Sequence, residues 1–290
     1  MSKQPRLVST ICEFREAIGL ARREGKRIGL VPTMGALHEG HLSLVGAARA
    51  ECGFCAVTIY VNPSQFGPRD DYARYPRSLE ADLEALARGK ADLVFAPGDG
   101  EVYPPGYSTW VEPPAVAAPL EGRHRPGHFR GVTTIVLKLL NMAGADAAYF
   151  GQKDYQQALV IRRMVEDLNV PIAIRVLPTV READGLAMSS RNRYLTAAER
   201  QQAVILWQSL CLARDLVARG ECRAAAVVER VQSLILSVRP ARIDYVALVH
   251  PETLEPVGEI RQPSLATLAV VIGRTRLIDN VLLEPPAHPS

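Results

Sequence analysis

Two histidines lie three residues apart in the stretch VPTMGALHEGHLSLV, residues 31–45. His38 and His41 flank Gly40 and follow an apolar run, where imidazoles could bind a metal ion or donate hydrogen bonds to a phosphate. A zinc-binding helix spaces its histidines four residues apart, as in H-E-x-x-H, and Gly40 would weaken a helix that carried both rings. The spacing argues against a zinc pair.

A phosphate site fits the surroundings of the pair better. A strand is predicted to end near Val31 and a helix to begin at about His41, and helix N-termini bind phosphates through free amides and the helix dipole. Gly35 and Gly40 allow the backbone to approach a nucleotide closely. The imidazoles could then donate to an α-phosphate that gains charge during a reaction. The alternative is that both histidines only cap the helix.

A second candidate loop lies at residues 181–195, READGLAMSSRNRYL. Ser189 and Ser190 supply hydroxyls and Arg191 a fixed positive charge, which suits a triphosphate. Alone, the loop is typical of an ordinary polar surface. Together with His38-x-Gly-His41, it resembles the two signatures of the nucleotidyltransferase superfamily, which includes class I aminoacyl-tRNA synthetases. Ser190 and Arg191 stand where the usual second signature has lysines.

The elements that must position these loops alternate along the first part of the chain. Strands are predicted at 26–31, 55–61, 91–96, 147–150 and 172–177, and helices at 41–50, 79–90, 132–142 and 155–168. Strands separated by helices of this length predict an α/β fold with a Rossmann-like, doubly wound parallel sheet. Ligands bind such sheets where the strands end.

The pattern changes after about residue 184, which divides the chain into predicted domains at 1–184 and 185–290. Thr196 begins a long predicted helix, with Glu199 completing a capping box. A second helix is predicted at 224–237, and strands at 243–249, 267–272 and 280–283. These elements predict a smaller α+β C-terminal domain.

Composition excludes several classes of protein. The formal charge of +3 is too small and too evenly spread for a nucleic-acid-binding surface. No apolar stretch approaches the roughly 18 residues of a membrane helix, and the N-terminus lacks the apolar core of a signal peptide. We therefore expect a cytoplasmic protein with reduced thiols. No second cysteine pair at zinc-finger spacing accompanies Cys52 and Cys55, which favours a structural role for both.

Three further stretches narrow the resemblance. They are VNPSQFG at 61–67, RPGHFRGV at 125–132 and GQKDYQQ at 151–157. With PTMGALHEGH and DGLAMSSRN, in this order and spacing, the chain resembles the pantoate–β-alanine ligase (pantothenate synthetase) family over nearly its whole length.

The resemblance implies a reaction. The family condenses (R)-pantoate with β-alanine to (R)-pantothenate, a step of coenzyme A biosynthesis. It uses ATP and Mg²⁺, forms a pantoyl adenylate and releases AMP and diphosphate. The family is usually dimeric, so the implied partners are small substrates and a second copy of the chain, with no nucleic acid and no membrane. We expect the second domain to act as a lid over ATP.

The resemblance also implies site residues. His41 takes the catalytic proton-donor role, with His38, Lys153 and Arg191 as further catalytic residues. The implied ATP-binding residues are Pro32, Thr33, Met34, Gly35, Ala36, Leu37, His38, Glu39, Gly40, His41, Gly151, Gln152, Lys153, Asp154, Val180, Met188, Ser189, Ser190 and Arg191. Those implied for pantoate or β-alanine are Asn62, Gln65, His128 and Gln157. Ala81 stands where some members have a second acidic residue beside Asp82, so no metal ligand is predicted.

Two other functions compete with this interpretation. A nucleotidylyltransferase would share the first domain and the H-x-G-H chemistry, but would not need VNPSQFG and GQKDYQQ together. A nucleic-acid-binding module that kept the fold without the chemistry predicts a basic patch, which the near-neutral charge balance argues against. A fused nucleotide kinase would need a G-x-x-x-x-G-K-[ST] loop, which the sequence lacks.

Overall fold

The computed structural model describes residues 4–68, 70–239 and 241–285. Within these residues, six strands form a parallel sheet in the order β1-β4-β3-β2-β5-β6. The strands are β1 Arg6–Val8, β2 Arg27–Thr33, β3 Gly53–Ile59, β4 Leu93–Phe95, β5 Ala147–Gly151 and β6 Ala173–Leu177. The chain runs from β2 to β4 in one direction and resumes at β5 on the other side of β2. The carboxyl ends of β2 and β5 therefore flank a topological switch point, where such sheets bind ligands.

Helices connect these strands. They are α1 Ile11–Arg23, α2 Glu39–Cys52, α3 Leu79–Arg88, α4 Asp99–Val102, α5 Glu121–His124, α6 His128–Ala143 and α7 Tyr155–Asp167. Single 3₁₀ turns lie at Pro63–Gln65, Tyr72–Arg74, Ala115–Ala117 and Gln152–Asp154. The sequence predicted α2, α3, α6 and α7 and strands β2 to β6, all within a few residues of these bounds.

The parallel sheet is covered on both faces. Adjacent residues of β2 alternate between two apolar clusters: Leu30 packs with Phe14 and Phe95 on one face, and Val31 packs with Val45 and Val57 on the other. This burial on both sides explains why the strands read as continuous apolar runs. The doubly wound α/β architecture is confirmed.

The C-terminal part of the chain forms its own layer of helices on a sheet. Its helices are α8 Ala197–Ala203, α9 Ile205–Ala218 and α10 Ala224–Leu236, and its strands are β7 Ala241–Val249, β8 Ser264–Ile272 and β9 Thr275–Leu283. The strands pair antiparallel in the order β7-β8-β9. A 3₁₀ turn at Ser190–Tyr194 precedes them. The predicted α+β unit is confirmed, with the capping box of Thr196 and Glu199 in place.

Two compact units account for the described chain. The division falls between Pro178 and Thr179, and the short segment Lys153–Tyr155 belongs to the second unit. The sequence predicted a boundary at residue 184. The difference follows from residues 180–188, which turn back on themselves and are held within the second unit, because Arg181 forms an ion pair with Asp279 of β9.

Some elements differ from the sequence-based expectations. Strand β1 and helix α1 were not predicted, although Thr10 and Glu13 form a capping box at the start of α1. The long helix expected from Thr196 is divided at Val204 into α8 and α9. Among the described residues, no helix combines the length and the apolar character needed to cross a membrane. The five cysteines are all unpaired thiols, and Cys52 and Cys55 are buried.

Candidate active site

The loop after β2 is held by side chains of neighbouring strands and helices. The hydroxyl of Thr33 donates to the carbonyl of Thr58 at 2.7 Å and accepts from the amide of Gly35 at 3.2 Å. The next two amides, of Ala36 and Leu37, donate to the carboxylate of Asp82 at 3.0 and 2.8 Å. The predicted ATP-binding loop is therefore anchored on both sides before α2 begins.

The two histidines cap α2 reciprocally. The amide of Gly40 donates to Nδ1 of His38 at 3.2 Å, and the amide of His38 donates to Nδ1 of His41 at 3.3 Å. The rings lie with their centroids 4.1 Å apart. His38 occupies the N-cap position with extended backbone, φ −145° and ψ 175°. This arrangement satisfies two of the amides that every helix start leaves without a helical partner.

The capping bonds determine the tautomer of both rings. Since Nδ1 accepts a hydrogen bond in each, the neutral ring must carry its proton on Nε2. The pair thus presents two N–H donors at the N-terminus of a helix, whose dipole favours a negative charge. Such donors suit the oxygens of a phosphate.

Gln65 lies beside this loop. It ends the 3₁₀ turn Pro63–Gln65, and its amide nitrogen contacts the sulfur of Met34 at 3.1 Å. The side chain of Asn62 donates to the Gln65 amide oxygen at 3.1 Å and to the Gly131 carbonyl at 3.2 Å. Asn62 is 1% exposed, so it lies beneath Gln65 and orients that amide.

His128 supports the same turn from α6. Its Nδ1 donates to the Gln65 carbonyl at 2.8 Å, while Nη1 of Arg125 donates to its Nε2 at 3.1 Å. Burial lowers the pKa of His128 to about 4, and the Arg125 guanidinium acts in the same direction. His128 is therefore neutral, with its proton on Nδ1, the opposite tautomer to His38 and His41.

Arg125 is held in turn by Asp70, whose carboxylate accepts from Nη2 at 2.9 Å. Burial alone would raise the pKa of Asp70, but the Arg125 hydrogen bond holds it below its usual value. The RPGHFRG stretch thus forms a platform under Gln65. The close approach needs Gly131, because a Cβ there would lie 2.3 Å from the Ser64 carbonyl oxygen.

The second predicted glutamine lies on another element. Gln157 is half-buried in the first turn of α7. Its neighbour Gln156 is buried, and its side chain forms hydrogen bonds with the backbone of a loop. It accepts from the amide of Glu121 at 3.0 Å and donates to the carbonyls of Val116 and Pro119. Gln156 is therefore structural, and of these two adjacent glutamines Gln157 is the one with a half-exposed side chain.

A cavity of about 380 Å³ opens next to the β2 loop in the first unit. Its lining includes Met34 and Gly35 of the loop, Tyr60 after β3, and Arg77, Asp82 and Asp99. The hydroxyl of Tyr60 donates to Asp99 at 2.9 Å, and burial together with this bond raises the pKa of Tyr60. A pocket of this size with a few polar groups accommodates a small polar substrate.

In the second unit, two adjacent residues of β9 hold the other predicted loops. Asn280 donates from Nδ2 to the carbonyl of Lys153 at 2.9 Å. Asp279, which is 2% exposed, accepts two hydrogen bonds from the guanidinium of Arg181 at 2.6 and 2.9 Å. The Lys153 ammonium lies 3.7 Å from Asp154.

The loop that carries Arg191 is a short hairpin. The amide of Met188 donates to the carbonyl of Val180 at 3.0 Å, and Arg181 pairs with Ala187. The Arg181 guanidinium lies 3.7 Å from the centre of the Trp207 ring. Ser189 then caps the following 3₁₀ turn by accepting from the amide of Arg191 at 3.3 Å.

The predicted residues therefore separate into two groups. In the first unit, the segment Pro32–His41 contacts Gln65, which rests on Asn62 and His128, while Gly151 ends β5 next to β2. In the second unit lie Lys153, Asp154, Val180 and the segment Met188–Arg191.

Sequence reasoning missed three residues that position these loops: Asp82, Asp279 and Asn280. A signal existed for the last two, because a polar Asp-Asn pair lies between the apolar residues 277–278 and 281–283 of β9. For Asp82 no local signal existed, since the amides it binds lie 46 and 45 residues earlier in the chain.

No three acidic, histidine or cysteine side chains of the described residues lie together as a metal site. Mg²⁺ often binds through one or two carboxylates, waters and substrate phosphates rather than in a protein cage. The described side chains do not assemble such a cage.

The chain is similar to proteins of one known family. A family model for pantoate-beta-alanine ligase matches residues 6–282. The chain is 55% identical over 279 residues to a pantothenate synthetase of Moorella thermoacetica, covering 96% of this chain and 98% of that protein. It is 50% identical over 279 residues to one from Acetivibrio thermocellus, with 96% and 99% covered.

Solved structures are similar over nearly all of the chain. The crystal structure of a pantothenate synthetase from Thermus thermophilus matches with a TM-score of 0.92 and 44% identity, covering 97% of this chain and 100% of that one. A pantoate-beta-alanine ligase from Francisella tularensis, complexed with beta-gamma ATP and beta-alanine, matches with a TM-score of 0.78 and 34% identity, covering 96% and 97%.

Proposed function

Because the chain belongs to the pantoate–β-alanine ligase family, we propose that it condenses (R)-pantoate with β-alanine through a pantoyl adenylate. The products are (R)-pantothenate, AMP and diphosphate, and the reaction serves coenzyme A biosynthesis. The observation that carries this proposal is the contact between the two substrate loops: Gln65 touches Met34, four residues before the histidine-capped start of α2.

The first half-reaction joins two anions. A carboxylate oxygen of pantoate attacks the α-phosphorus of ATP, a P–O bond forms, and diphosphate leaves with the electron pair of the broken bond. The Nε2–H groups of His38 and His41 donate hydrogen bonds to α-phosphate oxygens as these gain charge. The N–H of His41 is the proton-donor group that the family resemblance implies, and its proton stays on the ring. Lys153 and Arg191 supply positive charge that lowers the repulsion between the substrates.

Pantoate binding is proposed for two amide side chains. Gln65 and Gln157 offer donors and acceptors to the hydroxyls and carboxylate of pantoate without adding negative charge. Asn62 and His128 support Gln65 from below through the contacts described above. The role proposed for these two residues is therefore to keep the Gln65 amide in one orientation.

The second half-reaction forms the amide bond. The free amine of β-alanine attacks the acyl carbon of the adenylate, AMP leaves with the bridging oxygen, and the amine proton passes to solvent. Mg²⁺ is proposed to enter with the ATP phosphates, where it would neutralise charge. A homodimer, a cytoplasmic location and a lid role for the second unit are further proposals from the family.

One assay tests the function. AMP formation should require ATP, pantoate and β-alanine together, and omission of any one should abolish pantothenate formation. The competing nucleotidylyltransferase activity would instead give diphosphate and a dinucleotide-like product without AMP. Failure to form AMP from the complete mixture, by protein that is folded by circular dichroism, would overturn the proposal.

A further inference from the structure

The carboxylate of Asp82 lies beneath the loop that leads into α2. Asp82 is in the first turn of α3 and is only 4% exposed. Its two oxygens accept from successive amides, Oδ2 from Ala36 and Oδ1 from Leu37. A charged group buried to this extent is retained only when hydrogen bonds or charges stabilise it, and here the main chain supplies them.

The loop at this point has an unfavourable backbone conformation. Gly35 and Ala36 both lie in the left-handed region, with φ of +79° and +51°. Glycine adopts this conformation freely, but alanine pays an energetic cost because its Cβ approaches the following carbonyl. Something outside the loop must therefore keep Ala36 in place, and the two hydrogen bonds to Asp82 hold the residue itself and the one after it.

The loop and the carboxylate also fit each other closely. A Cβ at Gly35 would lie 2.8 Å from Oδ2 of Asp82 and 3.1 Å from Cγ2 of Ile59. The fit leaves the loop little freedom to move toward α3. One residue after Leu37 comes His38, whose backbone and ring form the cap of α2. Any shift at Ala36 or Leu37 passes directly into the position of the histidine pair.

We propose that Asp82 is a positioning residue for adenylate formation. It holds the turn at Gly35 and Ala36 so that His38 and His41 meet the α-phosphate without reorganisation. This inference rests on the proposed function for its kinetic consequence, but the clamp itself is a property of the fold. The competing role is direct ligation of Mg²⁺ by the Asp82 carboxylate.

The chain offers a matched control at the opposite edge of the sheet. Oδ2 of Asp146 accepts from the amide of Ile28 at 2.7 Å, at the amino end of β2. The same kind of carboxylate–amide bond therefore stabilises the amino end of β2, far from the histidines, and the loop that follows its carboxyl end. Asp146→Asn reports what losing such a bond, together with the ion pair between Asp146 and Arg22, costs the fold alone.

Asp82→Asn is the principal test. It keeps the shape of the side chain but turns one acceptor into a donor that faces an amide N–H. We expect pantoate-dependent exchange of diphosphate into ATP to slow about 100-fold, the size of effect that a misplacement of about 1 Å produces. Asp146→Asn should exchange at the wild-type rate. Wild-type exchange in folded Asp82→Asn protein would overturn the proposal.

Two further variants separate positioning from metal binding. Asp82→Glu keeps the charge and a metal-binding carboxylate but moves its oxygens, so positioning predicts slow exchange at every Mg²⁺ concentration. Recovery of the wild-type rate at high Mg²⁺ would indicate a metal ligand instead.

In the double variant Asp82→Asn, Ala36→Gly, the left-handed conformation of residue 36 no longer carries an energetic cost. We expect several-fold recovery of exchange, and no recovery would contradict a clamp.

One readout does not depend on the reaction. Hydrogen exchange of the Ala36 and Leu37 amides should speed up in Asp82→Asn and stay slow in Asp146→Asn, with no substrate present. If wild-type protein makes no AMP while these amides lose protection as expected, the proposed function fails and the clamp stands. Unchanged protection would overturn the clamp. Should Asp82→Asn fail to fold, Asp82→Glu is measured in the same way.

Discussion

His38 and His41 close the first turn of α2 through their Nδ1 atoms, and this bonding fixes the proton of each neutral ring on Nε2. The sequence left two interpretations of the pair open, a cap or a phosphate site. The two roles are compatible, because Nδ1 of each ring accepts a hydrogen bond from a backbone amide at the start of α2, while Nε2 carries an N–H that can donate. The question for experiment is what the second nitrogen contributes.

His41→Gln separates the two contributions. Glutamine at the third position of a helix accepts from the N-cap amide in a capping box, so the fold should keep its thermal stability. The imidazole N–H is lost, and removal of one such donor slows a reaction by about 10²–10³. We expect exchange of diphosphate into ATP to fall by that factor. A folded His41→Gln protein with wild-type exchange would contradict a role at phosphorus.

His128 gives a prediction about pH. Its pKa is about 4 in the folded protein against 6.5 as the reference value, so the unfolded chain binds more protons between these limits. Stability should therefore rise with pH from about 4 to 6.5 and level off above. The contribution of His128 is up to about 3 kcal/mol of unfolding free energy, present at pH 7 and lost by pH 4.

Urea unfolding across this pH range checks the prediction. The difference between wild type and His128→Gln should vary with pH, with the variant showing the shallower slope between pH 4 and 6.5. Parallel curves for wild type and His128→Gln would show that His128 does not titrate in this way.

At the scale of elements, local patterns were sufficient where one face or both faces of an element are buried. Helices α2, α3, α6 and α7 followed from apolar periodicity, and strands β2 to β6 followed from short, continuous apolar runs. Strand β1 has only three residues, too few for a period to emerge. Helix α1 begins at a capping box of Thr10 and Glu13, which is a local signal that the sequence contains.

Contacts between distant elements could not be predicted. Helix α6 approaches the Pro63–Gln65 turn at Gly131, and α3 approaches the loop after β2 at Asp82. Both contacts join segments that are far apart in the sequence. Single-sequence patterns describe which face of an element is buried, but not which residue of another element it meets. The positioning roles of Asp82 and Gly131 therefore emerged only from the structure.

Gly131→Ala tests the platform under Gln65. Alanine would favour the helix intrinsically, but its Cβ would collide with the Ser64 carbonyl and displace the turn. We expect the pantoate KM to rise roughly ten- to hundredfold with a smaller change for ATP. Gly46→Ala on α2, where the added Cβ meets open space, should leave KM unchanged and stabilise by up to about 1 kcal/mol. An unchanged pantoate KM in Gly131→Ala would contradict the platform.

Asn280→Asp tests the hydrogen bond between Asn280 of β9 and the backbone carbonyl of Lys153. The aspartate places an acceptor against the Lys153 carbonyl, so the hydrogen bond is lost. A bond of about 1 kcal/mol corresponds to roughly a fivefold slower exchange of diphosphate into ATP. Asp244→Asn on β7, which removes ion pairs with Arg242 and Arg276 in the same sheet, should exchange normally. Equal rates in both variants would show that β9 does not position Lys153.

At the scale of the whole molecule, the order of five motifs carried more information than any single element. Each motif alone admits a structural interpretation: a helix cap, a polar loop, a turn. The order of the five motifs along the chain indicated the family whose model matches residues 6–282. The fold class followed from alternation of strands and helices. The two units divide between Pro178 and Thr179 rather than at residue 184. A change in the sequence pattern does not reveal which unit the hairpin at residues 180–188 contacts.

The proposed reaction depends on the activation of pantoate as an acyl adenylate. Pantoate labelled with ¹⁸O in its carboxylate should be turned over with ATP and β-alanine, and the products examined by mass spectrometry. Attack of the carboxylate on the α-phosphorus leaves the bridging oxygen with AMP, so AMP should carry one ¹⁸O and diphosphate none. Unlabelled AMP, or label in diphosphate or in orthophosphate released with ADP, would contradict the account.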